Sequence, residues 1–211
     1  MKATSLLLLA GSALLISSAP LYAGTVVFQQ NFDSLTANLD VTSVGNFTAI
    51  NGTNVDIVGV GDGFGSLCAA PESGNCVDLG GSGGDPLGQL QSDPITLGPG
   101  SYDLSFDLIG SGRGVTTTTD VSLGSLYSNT FTLTSGDTTD GIVNTIIAVG
   151  STETVNLDFD LTGTTNGNIG SVLDNVEIAT VTPEPSSLIL LGTGFVALAG
   201  FARRKIAGRL L

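Results

Sequence analysis

From Tyr102 to Leu108 apolar and polar residues alternate without a break, and Val155 to Leu161 repeats the pattern. Successive strand residues point to opposite faces, so each run predicts a strand with one buried and one wet face. Shorter candidates are Val26 to Gln30, Gly45 to Ile50, Val55 to Val58, Cys76 to Leu79 and Gln89 to Ser92. Further along come Val121 to Leu123, Thr130 to Thr134, Ile142 to Val149 and Val172 to Ala179. Turns rich in Gly, Asn, Asp and Thr separate them, and nothing between Gly24 and Thr182 sustains a helical period.

About ten short antiparallel strands with one solvated face pack best as two sheets, so the expected fold is all-β, a two-sheet antiparallel sandwich of jelly-roll type. Its predicted core is Phe28, Phe32, Tyr102, Leu104, Phe106, Leu108, Phe131, Leu133, Leu157, Phe159, Val176 and Ile178. With 30 glycines in the chain, an open Gly-rich solenoid is the architectural alternative, although no internal repeat supports it.

The two ends carry a different pattern. Lys2 precedes an apolar run from Leu6 to Ile16, and Ser17 to Pro20 and Leu21-Tyr22-Ala23 follow. That order is the one of a secretory signal peptide, residues 1–23, cut by signal peptidase after Ala23. At the other end, Ser186 to Ala202 runs without a charge and is followed by Arg203, Arg204, Lys205 and Arg209. At about 1.5 Å per residue this helix covers roughly 25 Å, enough for a single span of a thin bilayer. The basic residues act as a stop-transfer signal that keeps the tail, 203–211, in the cytoplasm. The domain plan is therefore a signal peptide at 1–23, an extracytoplasmic β-sandwich at 24–181 and an anchor segment at 182–211.

Charge then narrows the partners. Of 211 residues, 6 are Lys or Arg and 19 are Asp or Glu, with no His and no Trp. Between Gly24 and Thr182 only Arg113 opposes 18 acids, a formal charge of −17. Binding to phosphates needs clustered Lys and Arg, so nucleic acid is excluded as a partner and an anionic lipid surface repels the body. The lack of His removes imidazole-based catalysis and most histidine-ligated metal sites.

Thr182-Pro183-Glu184-Pro185, the apolar segment and the Arg-rich end together resemble the PEP-CTERM sorting signal of Gram-negative bacteria. The resemblance covers about Val181 to Arg209 and implies recognition of Pro183, Glu184 and Pro185 by an exosortase, a membrane protease-transpeptidase. It also implies an exported precursor held in the inner membrane with its body in the periplasm, bound for the cell surface or an exopolysaccharide matrix. Physically, Pro183 and Pro185 hold Glu184 in extended, accessible backbone, as a processing enzyme requires.

Cys68 and Cys76 are the two cysteines, and export permits them to pair across the turn-rich segment Ala69 to Asn75. The spacing is not C-x-x-C, which favours a structural disulfide over a redox pair. Gly80-Gly81-Ser82-Gly83-Gly84 fits G-x-S-x-G, but without His or an α/β pattern around it the match carries no hydrolase. Gly80 to Gly88 fits a single calcium-binding nonapeptide, and such sites need stacked repeats; it reads as a surface loop. Thr116 to Thr119 reads as an exposed loop open to O-glycosylation.

If Val172, Val176 and Ile178 face the core, period two turns Asp174 inward with them, where an ionised carboxylate must be paired or ligated. Asn31-Phe32-Asp33 and Leu173-Asp174-Asn175-Val176 resemble the opening and closing motifs of carbohydrate-binding jelly rolls of the galactose-binding-like kind. That resemblance implies a structural Ca²⁺ held by Asp33 and Asp174; Asn175 stands where a second acid is usual. Sugar modules stack aromatic rings on sugars; the candidates here are Tyr127, then Phe64 or Phe47, with core packing the first explanation for each. Carboxylate pairs such as Asp103 with Asp107 or Asp158 with Asp160 suit glycoside hydrolysis by type, but alternating strand acids are ordinarily a solvated face. The expectation is an exported, non-enzymatic surface or matrix protein, with a glycan-binding module as the alternative.

Overall fold

The protein was analysed as a computed structural model, which describes residues 24–59, 64, 67–68, 74–83 and 86–181. The signal peptide, the sorting motif Pro183, Glu184 and Pro185, the apolar span and Arg203, Arg204 and Lys205 lie outside the described residues. Fifteen strands follow one another: β1 Val26–Gln30, β2 Asn38–Val41, β3 Ser43–Val44, β4 Phe47–Ala49, β5 Val55–Val58, β6 Cys76–Asp78, β7 Gln89–Ser92 and β8 Ile95–Leu97. Then come β9 Gly100–Ile109, β10 Thr117–Leu123, β11 Tyr127–Leu133, β12 Ile142–Val149, β13 Glu153–Val155, β14 Leu157–Thr164 and β15 Val172–Thr180.

All pairings are antiparallel. One sheet has the order β12-β9-β15-β6-β5-β2, with β1 also on β15; the second has β11-β10-β14-β7-β4-β3; β8 and β13 form a small third pair. β15 thus carries β9 along one side, and on the other shares its length between β6 and β1. The two large sheets form a sandwich, as the alternation predicts.

Aromatic rings join the layers. Phe106 of β9 lies edge-on to Phe159 of β14 at 5.2 Å and to Phe131 of β11 at 5.9 Å. Toward the opposite end, Phe28 of β1 meets Phe47 of β4 at 5.5 Å, and Phe47 meets Phe159 at 6.0 Å. Burying such a side chain contributes about 1.5–3 kcal/mol, and an edge-to-face pair adds about 0.5–1.5 kcal/mol. All the core residues read from the sequence lie in this one buried cluster.

The structure departs from the pattern at three places. The Val155 to Leu161 run is two strands: Val155 closes β13 on β8, and Leu157 opens β14 in the second sheet. Ser92 holds the step between them, its carbonyl accepting from Asn156 Nδ2 at 2.7 Å and its hydroxyl from the Leu157 N–H at 2.9 Å. The threonine run is not an exposed loop. Thr117 and Thr119 begin β10 fully buried, and their hydroxyls meet that of Ser171 at 2.7 and 3.0 Å. Hydroxyls paired with each other can be buried at little cost, which a threonine-rich sequence does not reveal. Finally, β2, β3 and β8 are short strands that the hydrophobic pattern does not mark.

Candidate functional site

The predicted disulfide is present. Cys68 and Cys76 are bonded with their Cα atoms 5.6 Å apart, and both sulfurs sit in a small buried cluster with Val58, Leu67, Ile109 and Val172. The bridge therefore ties the β5–β6 connection to the first sheet.

Beside it, two buried aspartates organise the Gly-rich loop. Asp56 of β5 and Asp78 of β6 are directly opposite in the ladder. Asp56 Oδ1 accepts from the N–H groups of Asp40, at 2.7 Å, and Ser82, at 3.0 Å, while its Oδ2 accepts from Ser82 Oγ at 2.6 Å. Asp78 Oδ1 accepts from the N–H groups of Gly80, at 2.9 Å, and Gly170, at 2.8 Å. Its Oδ2 takes Nη2 of Arg113 in an ion pair. Burial pushes the Asp78 carboxyl up from its ordinary value, opposed by Arg113 and by the two amides. The chains at Gly80 and Gly170 pass so closely that a Cβ on either would meet the other's backbone. The G-x-S-x-G serine is thus a ligand of a structural carboxylate. Chemically the arrangement is a clasp that closes one end of the sandwich.

Asp174 is 0% exposed, but not on the face the period-two argument gives it: β15 shifts register between Asp174 and Glu177, Asn175 has φ 52°, and Asp174 stands opposite Asp107 on the polar side of β9, whereas Leu173, opposite Leu108, joins Val176 and Ile178 in the core. Asp174 Oδ1 accepts from the Asn175 N–H at 2.7 Å. Asp33 is exposed in the tight turn after β1, with Oδ2 accepting from Asn31 Nδ2 at 3.0 Å. Phe32, with φ 56°, is the residue of that turn whose ring enters the core. Among the described residues no three or more acidic, Cys or His side chains gather around a common point. A Ca²⁺ held by Asp33 and Asp174 would take its remaining oxygens from backbone carbonyls, amide side chains and water.

The strand acids do not converge either. Asp103 and Asp107 belong to β9 in the first sheet, Asp158 and Asp160 to β14 in the second, and the core lies between. Asp107 Oδ2 accepts from Asn175 Nδ2 at 2.9 Å, and Asp158 Oδ1 from Gln91 Nε2 at 2.8 Å. Asp160 is raised by its partial burial and by the charges of Asp158 and of Asp120, its direct cross-strand partner.

Of the candidate aromatics, Phe47 is core and Tyr127 packs edge-on to Phe106 at 6.4 Å, its hydroxyl pushed up by partial burial. Phe64 differs. It is 39% exposed, and with Ala37, Asn38 and Leu39 it lines a groove of about 290 Å³ beside edge strand β2. Leu39 is 41% exposed in the same groove. The sequence marks Phe64 by its glycine-rich flanks, whereas the partners from β2 carry no local signal.

A family model for the PEP-CTERM protein-sorting motif matches residues 181–205, so the chain carries that signal directly after β15. No curated protein matches the chain in sequence. Among similar solved structures is the K1 cleaved adhesin domain of Lys-gingipain from Porphyromonas gingivalis W83, at 14% identity and TM-score 0.48, covering 75% of this chain and 100% of that one. Another is the CBM22-1 xylan-binding domain of Paenibacillus barcinonensis Xyn10C, at 12% identity and TM-score 0.39, with 78% and 99% covered. A third is the second N-terminal cellulose-binding domain of Cellulomonas fimi β-1,4-glucanase C, at 16% identity and TM-score 0.37, with 78% and 100% covered.

Proposed function

We propose that this chain is an exported, non-enzymatic envelope protein: a jelly-roll sandwich delivered through its C-terminal PEP signal and associated at its destination with exopolysaccharide. The observation that carries this reading is the sorting motif at residues 181–205, which implies a membrane-anchored precursor processed by an exosortase-type system. In this reading the precursor is anchored by Ser186 to Ala202 with its body in the periplasm, and then passes to the cell surface or the extracellular matrix. The body's acidity suits that destination, since neutral glycans and cations do not repel it as anionic lipid does. The absence of His and the engagement of Ser82 by Asp56 support the non-enzymatic part.

Processing is tested on the full chain. Replacing Glu184, or deleting Arg203 to Lys205, should leave uncut precursor in the membrane fraction on a blot. Unchanged processing in both variants would end the sorting reading.

A second reading, a glycan-binding module delivered to the same place, draws on the groove in which Phe64 stands beside Asn38. An exposed ring next to an amide is the pairing that sugar recognition uses, apolar face plus hydrogen-bonding edge. Glycan arrays with the exported protein separate the readings: signal on a defined sugar that Phe64→Ala abolishes favours the module, and silence on every sugar favours the matrix protein.

A further inference from the structure

β12, Ile142–Val149, ends the first sheet, so one side of this eight-residue strand has no neighbour in the sheet. Its outer face exposes Ile142, Asn144, Ile146 and Ala148, and Ile146, 57% exposed, is the most exposed large apolar side chain among the described residues. Which main-chain groups face the open side follows from the register. Leu108 N–H donates to the Gly141 carbonyl, and Ile142 stands opposite Asp107. Antiparallel strands turn successive residues to alternate sides. Val143, Thr145, Ile147 and Val149 therefore bond β9, while Asn144, Ile146 and Ala148 direct N–H and C=O away from the sheet.

Natural proteins blunt such edges with charge, proline, bulges or brevity. Three of the other edges are blunted. β2 has an irregular register and carries Asp40, β3 has two residues, and β1 shifts register between Val26 and Phe28. β11 is regular but exposes Ser128, Asn129, Thr130 and Thr132. β12 has no charged residue and no proline, and its exposed side chains include two isoleucines.

The geometry points to a two-fold dimer in which β12 pairs antiparallel with β12 of a second copy, centred on Ile146. In that register Ile146 faces Ile146 of the second copy and Asn144 faces its Ala148, so every outward N–H and C=O of these residues finds a partner. The occupant is a second copy because the arrangement is self-complementary and because charge permits it. The acid nearest the centre of the seam is Asp103, opposite Ile146 on β9, while Asp140 and Glu153 lie beyond the two ends of β12. The two Asp103 side chains would stand three strand spacings apart, about 14 Å, beyond the screening length of about 8 Å at physiological salt. The acidic bodies can then join at their uncharged edge.

Cross-linking of the full-length protein tests this, because both native cysteines are in the disulfide and an added one is the sole free thiol. Paired strand residues lie about 5.5 Å apart at Cα, within disulfide reach. Under mild oxidation Ile146→Cys should give a covalent dimer several-fold above a Thr130→Cys control on β11. Asn144→Cys and Ala148→Cys should each cross-link poorly alone, since identical residues are offset by about 13 Å, and well when the two variants are mixed. Ile146→Lys should shift the detergent-solubilised full chain from dimer to monomer in sedimentation. The proposal is overturned if Ile146→Cys gives no more dimer than Thr130→Cys, if Asn144→Cys pairs with itself as readily as with Ala148→Cys, or if the cross-linked product contains a different protein.

Discussion

Arg113 donates through Nη2 to Oδ2 of Asp78, joining the loop after β9 to the inner strand β6. It is the one cation between Gly24 and Thr182, and the 18 acids of that stretch do not share it equally. Asp78 is almost wholly buried and needs a counter-charge, whereas most of the others keep water.

Removing that counter-charge should be costly. Arg113→Met is expected to lower stability by about 3 kcal/mol at neutral pH, because the Asp78 carboxylate keeps its amides and loses its ion pair. Without Arg113 the carboxyl rises further. A raised folded pKa contributes stability that is present below the unfolded pKa and lost as pH rises through the folded one. The gap between variant and parent should therefore narrow as pH falls, and denaturant melts at several pH values check both the size and the trend.

The seam between the sheets predicts a second cost. Phe106 touches Phe131, Phe159 and Tyr127 at once. Phe106→Ala should cost about 3–5 kcal/mol through lost burial and the cavity left behind. Phe64→Ala, at an exposed ring, should stay within about 0.5 kcal/mol of the parent, so paired thermal melts separate core from groove.

Asp120 and Asp160 oppose each other across β10 and β14, with Asp158 two residues away. Like charges in direct cross-strand contact destabilise. Asp120→Asn should raise the melting temperature at pH 7, by an effect on the order of 0.2–1 kcal/mol. Because Asp160 is raised, it contributes stability present below the unfolded pKa and lost as pH rises through the folded one. The gain from Asp120→Asn should therefore shrink as pH falls into the carboxylate range and disappear once the face is protonated. Equal gains at pH 7 and at acid pH would contradict the repulsion.

Reducing the Cys68–Cys76 bridge, or replacing both residues with Ala, should cost roughly 2–3 kcal/mol on the loop-entropy model for a separation of 8. Chemical denaturation with and without reductant measures it. The same melts on Gly80→Ala should show a loss as well, since its Cβ would meet the backbone at Ile169 and Gly170.

Strand alternation and the paired cysteines were readable along the chain, because each depends on residues a few positions apart; the bulge in β15 that takes Asp174 out of step with Val176 and Ile178 was not. The alternation at Tyr102 to Leu108 has the same meaning in any sandwich, and β9 follows it. The sorting motif is likewise a local string, which the family model finds where the residues place it. Much of the candidate chemistry was not readable. Thr117 and Thr119 look like loop residues until Ser171, more than fifty positions later, is laid against them. Asp56 and Ser82 are 26 positions apart, and the groove at Phe64 takes its other wall from β2.

By itself, then, the order of residues determined that the body is β, which side of β9 is buried, and that a sorting signal follows the body. Tertiary structure alone decided which buried carboxylate Arg113 answers, that a glycine-rich loop is clasped by two aspartates, and that β12 is left as an uncharged edge. Side-chain direction and apolar runs follow from local stereochemistry and the cost of hydrating greasy surface. A counter-charge or an unpaired strand edge exists only once distant segments have been brought side by side.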